Sequence, residues 1–188
     1  MNYGIVINKN NLIKDDELPK NLVVIGKNEH PTIPFENETN DILLEKKAAI
    51  FFNRMINDIN KKYNNKIIPD SGYRTIERQK RLLKYYYDRD GEKAFTYAAS
   101  PRSSEHHTGL AIDIALLVNG KYTDDITGEE PEIIDLMANC YKYGFILRYP
   151  KGKEKITGYK YEPWHFRFVG LDLAKKIYKS GLTLEEIE

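Results

Sequence analysis

The sequence predicts an α+β fold, a single domain over residues 1–188 with a small, mostly antiparallel sheet flanked by helices. Three observations point there. A helical stripe (Leu44, Ala48, Phe52, Met55, Ile59) shares the chain with short strand-like runs at 66–69, 110–116, 145–149 and 159–169. The run ending at Leu116 is followed by Asn119-Gly120, a hairpin signal that turns a strand back antiparallel. No repeat or linker divides the chain, and 188 residues suffice for one core.

In chain order, Tyr3 to Ile7 alternates weakly, as a short strand would. Residues 1–38 read as an extended N-terminal arm that wraps the domain, rich in Asn, Lys and Pro from Asn8 to Asn37. His30, beside Pro31, reads as an exposed loop residue rather than a ligand. Thr39 or Asn40 can cap a long helix running to about Tyr63. Asn64-Asn65 breaks it, and Lys66 to Pro69 forms a short strand. Thr75 can cap the next helix, with Leu82 and Leu83 inward and Gly91 at its end. Its Arg78, Lys80, Arg81, Lys84 and Arg89 read as a solvated face, and at least one ring of Tyr85-Tyr86-Tyr87 is exposed. Glu92 to Ala99 reads as a further short helix, stopped by Pro101.

Leu110 to Leu116 reads as a buried strand. The acidic stretch Asp124 to Glu130 does not match a calcium loop and reads as a solvated loop. Pro131 opens a helix to Tyr143 with Ile133, Ile134, Met137 and Cys140 inward and Gly144 at its end. Phe145 to Tyr149 is a strand and Pro150 to Gly158 a mobile loop. In the last strand region, Tyr159 to Val169, Trp164, Phe166 and Phe168 take one face; His165, Arg167 and Val169 take the other. Leu171 to Ser180 is a closing helix, ended by Gly181.

Net charge is +1 and the isoelectric point about 7.7, so no global field draws nucleic acid or an anionic membrane. Mean hydropathy is −0.59, and no apolar run approaches a membrane span. Met1-Asn2-Tyr3-Gly4 lacks the basic region and apolar core of a signal peptide. One cysteine, Cys140, excludes an internal disulfide and a cysteine-based zinc site.

The chemistry gathers in Ser104-Glu105-His106-His107-Thr108-Gly109-Leu110-Ala111-Ile112-Asp113. Asp113 is the one polar residue in the run from Leu110 to Leu116, and a buried carboxylate needs a partner. For an isolated Asp a salt bridge in the core is the commoner answer. Here His106 lies seven residues upstream, across Gly109, which permits a sharp turn. A neutral imidazole and a carboxylate converging from a turn and a strand suit zinc. Glu162-Pro163-Trp164-His165 supplies a third ligand, His165, and a carboxylate beside the metal, Glu162. A regular strand would put those two on opposite faces, but Pro163 favours a bend. Three protein ligands and an open fourth position are the pattern of a catalytic zinc.

Ser-x-His-x-x-Gly-x-Ala-x-Asp followed by Glu-Pro-Trp-His resembles the VanY-type D-alanyl-D-alanine carboxypeptidases, zinc peptidases of bacterial cell-wall metabolism. The resemblance extends to Ser71-Gly72-Tyr73-Arg74-Thr75 with Gln79, and to Trp164 through Gly170. It implies Zn²⁺ in a cleft over the sheet, held by His106, Asp113 and His165, with Glu162 as the proton-transferring base. It further implies that Arg74 binds the substrate near its scissile carbonyl or terminal carboxylate, that Gln79, Ser104 and Tyr73 orient substrate, and that Trp164 walls the pocket. Glu105 is the rival base, expected to be dispensable, and His107 is expected in a supporting or surface role. The implied substrate is a peptidoglycan stem peptide losing its C-terminal D-alanine. Related zinc peptidases leave other readings: an L,D-carboxypeptidase on tetrapeptide stems, an L-Ala-D-Glu endopeptidase, or, outside enzymes, a wall-peptide-binding module. The expected protein is a monomer acting outside the cytoplasm, its export or anchor segment not in this chain, with a cytoplasmic location as the alternative.

Overall fold

The computed structural model describes residues 2–34 and 39–187. Its centre is the apolar run read above as a buried strand, β4 (Ala111–Val118). β4 pairs antiparallel with β3 (Lys66–Ser71) on one side and β7 (His165–Phe168) on the other. β6 (Phe145–Leu147) adds beyond β7, and β5 (Lys121–Thr123) folds back onto the end of β4. The hairpin between β4 and β5 turns at Asn119 and Gly120, with φ of 51° and 78°, as the Asn-Gly signal requires. Every pairing in this five-stranded sheet is antiparallel.

Alternation along β4 decides which face is core. Ile112, Ile114 and Leu116 point into the main apolar cluster with Phe166 and Phe168 of β7. Two helices cover that face. α1 (Lys46–Asn60) contributes Ala48, Phe52, Met55 and Ile59, the stripe read from the sequence; α3 (Pro131–Asn139) contributes Ile133 and Leu136. α2 (Ile76–Asp90) follows β3, its first turn capped by the Thr75 hydroxyl accepting from Arg78 N–H at 3.1 Å. α4 (Glu154–Thr157) is a single turn, and α5 (Leu171–Ser180) is the last α-helix among the described residues. A smaller apolar cluster (Ile146, Val169, Ala174, Ile177, Leu184) lies beneath α5.

Several sequence expectations change. The long helix does not begin at Thr39 or Asn40. Asp41–Glu45 is a strand, β2, paired antiparallel with β1 (Leu22–Lys27) in a separate two-stranded sheet. Leu44 stands four residues before Ala48, which mimics a helical stripe, but it is buried from the strand. The helix starts only at Lys46, where Glu45 accepts from Lys47 and Ala48 N–H. The N-terminal arm therefore carries a strand of its own, and its residues 1 and 35–38 lie outside the described part. Tyr3 to Ile7 is not a strand: Arg167 Nη2 donates to the carbonyls of Tyr3 and Ile5 instead, at 3.3 and 2.9 Å. Ile134 is 51% exposed, and Leu136 takes the inward place. Within 150–158 the loop coils into α4.

Candidate metal centre

Two strand registers assemble the centre. Asp113 on β4 stands directly opposite Ser71 on β3 and His165 on β7. Opposite residues of an antiparallel pair share a face, so Asp113 and His165 both leave the sheet away from the main core. The third group arrives from a 3-10 turn, Glu105–Thr108, capped by Ser104 and ended by Gly109 at φ 68°. A Cβ at Gly109 would lie 2.8 Å from the Leu22 side chain, so the reversal into β4 uses glycine for space as well as for backbone angle. All four residues of the turn are buried.

His106 Nδ1 lies 2.7 Å from the Gly72 carbonyl. A carbonyl only accepts, so Nδ1 carries the proton and Nε2 keeps its lone pair. That Nε2 is 3.1 Å from Asp113 Oδ2, and His165 Nδ1 is 2.9 Å from Asp113 Oδ1. One donor atom from each of His106, Asp113 and His165 falls within 4.8 Å of the others. Asp113 Oδ1 is buried and makes no hydrogen bond despite the nearby imidazole nitrogen. The atoms are close but not aimed along a hydrogen bond, as expected of donors directed at a shared cation. Two imidazole nitrogens and one carboxylate, with space beside them, fit zinc. Burial pushes the Asp113 carboxyl up, but His106 and His165 outweigh it and hold it well below the usual carboxylate range. Burial alone would lower His165; Asp113, Glu105 and Glu162 raise it to about 9, so a proton stands where the carboxylates favour a cation. Burial and the Arg74 guanidinium keep His106 below its ordinary value, in the neutral form a metal needs.

The bend expected at Pro163 is present. His165 N–H donates to the Glu162 carbonyl at 3.2 Å, closing a turn before β7 begins. It brings Glu162 Oε2 to 3.8 Å from His165 Nδ1, on the metal side of the ring. Burial pushes this carboxyl up to about 8.

Arg74 lies at the junction of β3 and α2, its Nη2 3.6 Å from Asp113 Oδ2. Its Nη1 donates to Gln79 Oε1 at 2.7 Å and its Nη2 to Ser71 Oγ at 2.9 Å. Gln79 was expected to meet substrate, but it is 1% exposed and both ends of its amide are engaged, Nε2 donating to Ala99 O at 2.7 Å. It braces Arg74. Arg74, Gln79, Ser104, Glu162 and Trp164 line, with the three metal-site residues, a cavity of about 150 Å³. A second cavity of about 230 Å³ shares Arg74, Asp113 and Trp164 and continues past Asp70 and Asp124. Tyr73 lines neither. Tyr149 and Tyr159 were missed from sequence; Tyr149 stacks obliquely on both His165 and Tyr159, each at 4.9 Å. Nothing in the local pattern marks those tyrosines, because they reach the cleft from a strand end and a loop.

Glu105, the rival base, is committed elsewhere. Its Oε1 meets Arg148 Nε at 2.7 Å and Arg167 Nη1 at 2.9 Å, all three side chains fully buried. Burial pushes Glu105 up, but the two guanidinium groups outweigh it and hold it well below the usual range. A carboxylate so firmly ionised is a poor proton acceptor. His107 is buried rather than on the surface, and both its nitrogens serve the backbone: Nδ1 donates to Arg74 O at 2.7 Å and Nε2 accepts from Arg102 N–H at 3.1 Å. His30 is exposed and stacks on Tyr122 at 4.2 Å, away from the centre.

Residues 41–171 match the family model VanY, described as D-alanyl-D-alanine carboxypeptidase. The Bacillus subtilis (strain 168) protein YodJ is 39% identical over 188 residues, spanning 98% of this chain and 66% of that protein. The chain thus covers slightly less than two thirds of that relative. The bifunctional D-Ala-D-Ala dipeptidase and D-Ala-D-Ala carboxypeptidase VanXYC of Enterococcus gallinarum is 36% identical, spanning 99% of this chain and 93% of that protein. Among solved structures, the LD-carboxypeptidase LdcB superposes with a TM-score of 0.80 at 37% identity, over 96% of this chain and 83% of that one. A mutant of the vancomycin-resistance D,D-pentapeptidase VanY, in complex with Zn(II), superposes with a TM-score of 0.77 at 31% identity, over 99% and 98%.

Proposed function

The chain belongs to the VanY family of D-alanyl-D-alanine carboxypeptidases, and on that premise we propose that it is a zinc-dependent carboxypeptidase removing the C-terminal D-alanine from peptidoglycan stem peptides. The observation that carries this reading is the convergence of His106, Asp113 and His165, with Glu162 and Arg74 on the same cleft. A wall-binding module has no use for a buried carboxylate beside three donor groups.

When bound by His106, Asp113 and His165, zinc supplies Lewis-acid polarisation of the scissile carbonyl and acidifies the attacking water. Glu162 takes the proton of that water and hands it to the departing amine. Its place on the metal side of the His165 ring, 3.8 Å from Nδ1, suits this traffic. Arg74, held by Gln79 and Ser71, presents its fork to the substrate's terminal carboxylate or developing oxyanion. Trp164 walls the cleft, and Ser104 fixes the turn that carries His106.

A second reading, an L,D-carboxypeptidase acting on tetrapeptide stems, is favoured by the likeness to LdcB, which exceeds that to the zinc-bound VanY in both identity and TM-score. The deciding experiment is mass spectrometry of purified penta- and tetrapeptide muropeptides after incubation with the zinc-loaded protein. Loss of one alanine from the pentapeptide alone supports the first reading, and loss from the tetrapeptide alone the second. Tight binding of both without cleavage defeats the enzyme reading. A peptidoglycan substrate fits action outside the cytoplasmic membrane, with a cytoplasmic location on precursor stem peptides as the alternative; no helix among the described residues is long and apolar enough to cross a membrane.

A further inference from the structure

We propose that Glu105, Arg148 and Glu185 form a relay that orients His165, so that the C-terminal turn contributes to metal affinity. The inference rests on the metal reading above. It starts from two buried atoms that lack hydrogen-bond partners, Glu105 Oε2 and His165 Nε2, which face each other at 3.6 Å. The other ring nitrogen, Nδ1, faces Asp113 and Glu162. The imidazole thus has one edge toward the metal ligands and the other toward a carboxylate. A neutral imidazole offers one lone pair, and the group opposite its second nitrogen decides which nitrogen offers it. A carboxylate facing Nε2 keeps the proton there and leaves Nδ1 free to ligate. At 3.6 Å Glu105 is beyond hydrogen-bond length, so it acts as an oriented charge on the N–H edge.

Glu105 can do this only if it is itself held. Arg148 and Arg167 fix Oε1, which leaves Oε2 aimed at the ring. Arg148 is held in turn: its two terminal nitrogens donate to the two oxygens of Glu185, at 2.9 and 2.5 Å, a bidentate pair. Glu185 sits in the 3-10 turn Leu184–Glu186, closed by Glu186 accepting from Thr183 N–H at 2.8 Å. Two glutamates and two arginines balance in formal charge, so the cluster is complete without the metal ligands. Glu185 lies beyond the residues matched to the family model, which end at 171.

The test uses the zinc-loaded full chain and two readouts that need no peptide. One is ¹⁵N NMR of the histidine side chains, which reports the protonated nitrogen. The other is zinc affinity by chelator competition, with melting of the chelator-treated protein alongside. The relay predicts a proton on Nε2 of His165, a zinc affinity about 10–100-fold weaker in Glu105→Gln, and a smaller loss in Glu185→Gln. A purely structural cluster would lower melting temperatures and leave zinc affinity unchanged in the folded variants. That result, or a proton on Nδ1 in the wild type, overturns the proposal. If Glu105→Gln does not fold, Glu185→Gln decides: wild-type zinc affinity there breaks the relay. A wild type that binds no zinc removes the metal reading and the relay together, whereas zinc binding without peptide cleavage leaves the relay standing and removes only the substrate reading.

Discussion

Glu162 and the three donor residues carry the sharpest expectations for single side chains. Glu162→Gln preserves size and polarity while removing the proton acceptor, so it should fold, hold zinc and bind stem peptide. Its alanine release should fall about 10²–10⁴-fold. Release at the wild-type rate would remove Glu162 from the role of base. The wild type should take up one zinc per chain with ligand distances of about 2.0–2.2 Å. Asp113→Ala and His165→Ala should each lose it, and full occupancy in both by metal analysis would refute the ligand set. These residues were legible because their chemistry conflicts with their surroundings: a carboxylate in an apolar strand, and histidines beside turn formers. Gln79 was not legible in the same way. Its bracing of Arg74 and its bond to Ala99 O depend on where α2 lies against the segment at 98–99, a tertiary fact with no local signature.

For whole elements, period was read well where one face is buried and poorly where two periods coincide. The central strand, the hairpin after it and the Thr75 cap were all legible. β2 was not, because Leu44 falls in phase with the stripe of α1, and only pairing with β1 shows that it belongs to a strand. That small sheet bears on the metal centre through Gly72. A Cβ there would lie 2.2 Å from the Leu43 carbonyl oxygen and 3.1 Å from the Ile42 side chain, both on β2. The Gly72 carbonyl is also the acceptor that fixes His106. Gly72→Ala must therefore push β2 and β3 apart, at a cost of about 1–3 kcal/mol or more. Urea unfolding should show that loss, and chelator competition should show weakened zinc binding. Wild-type values for both would mean that the two sheets do not hold each other in register.

In the molecule as a whole, the buried cluster of Glu105, Arg148, Arg167 and Glu185 joins segments far apart in sequence. Because Glu105 is held below its ordinary value in the folded state, the unfolded chain binds its proton more readily. The stabilisation from this group is then complete above the unfolded value of about 4.3 and is lost as pH falls through and below it. The melting temperature of chelator-treated protein should drop between pH 5 and pH 3, and a flat profile would mean the cluster is not ionised as described. Arg148→Met, which leaves two carboxylates without their shared partner, should cost about 3–5 kcal/mol at pH 7. None of these partners could be paired from sequence, since ion pairs between residues 105, 148 and 185 follow from the packing of β6 and the last turn, not from any motif.

The same cluster gives the molecule a mechanical character. Arg167 grips the carbonyls of Tyr3 and Ile5, Arg148 grips Glu185, and both guanidinium groups close on the one carboxylate of Glu105. A load applied between residues 5 and 185 therefore runs through a short bolt of charged side chains instead of peeling a strand from the sheet one hydrogen bond at a time. Under tension the molecule should yield abruptly, when the bolt shears, and the first part to be distorted is the seat of His165.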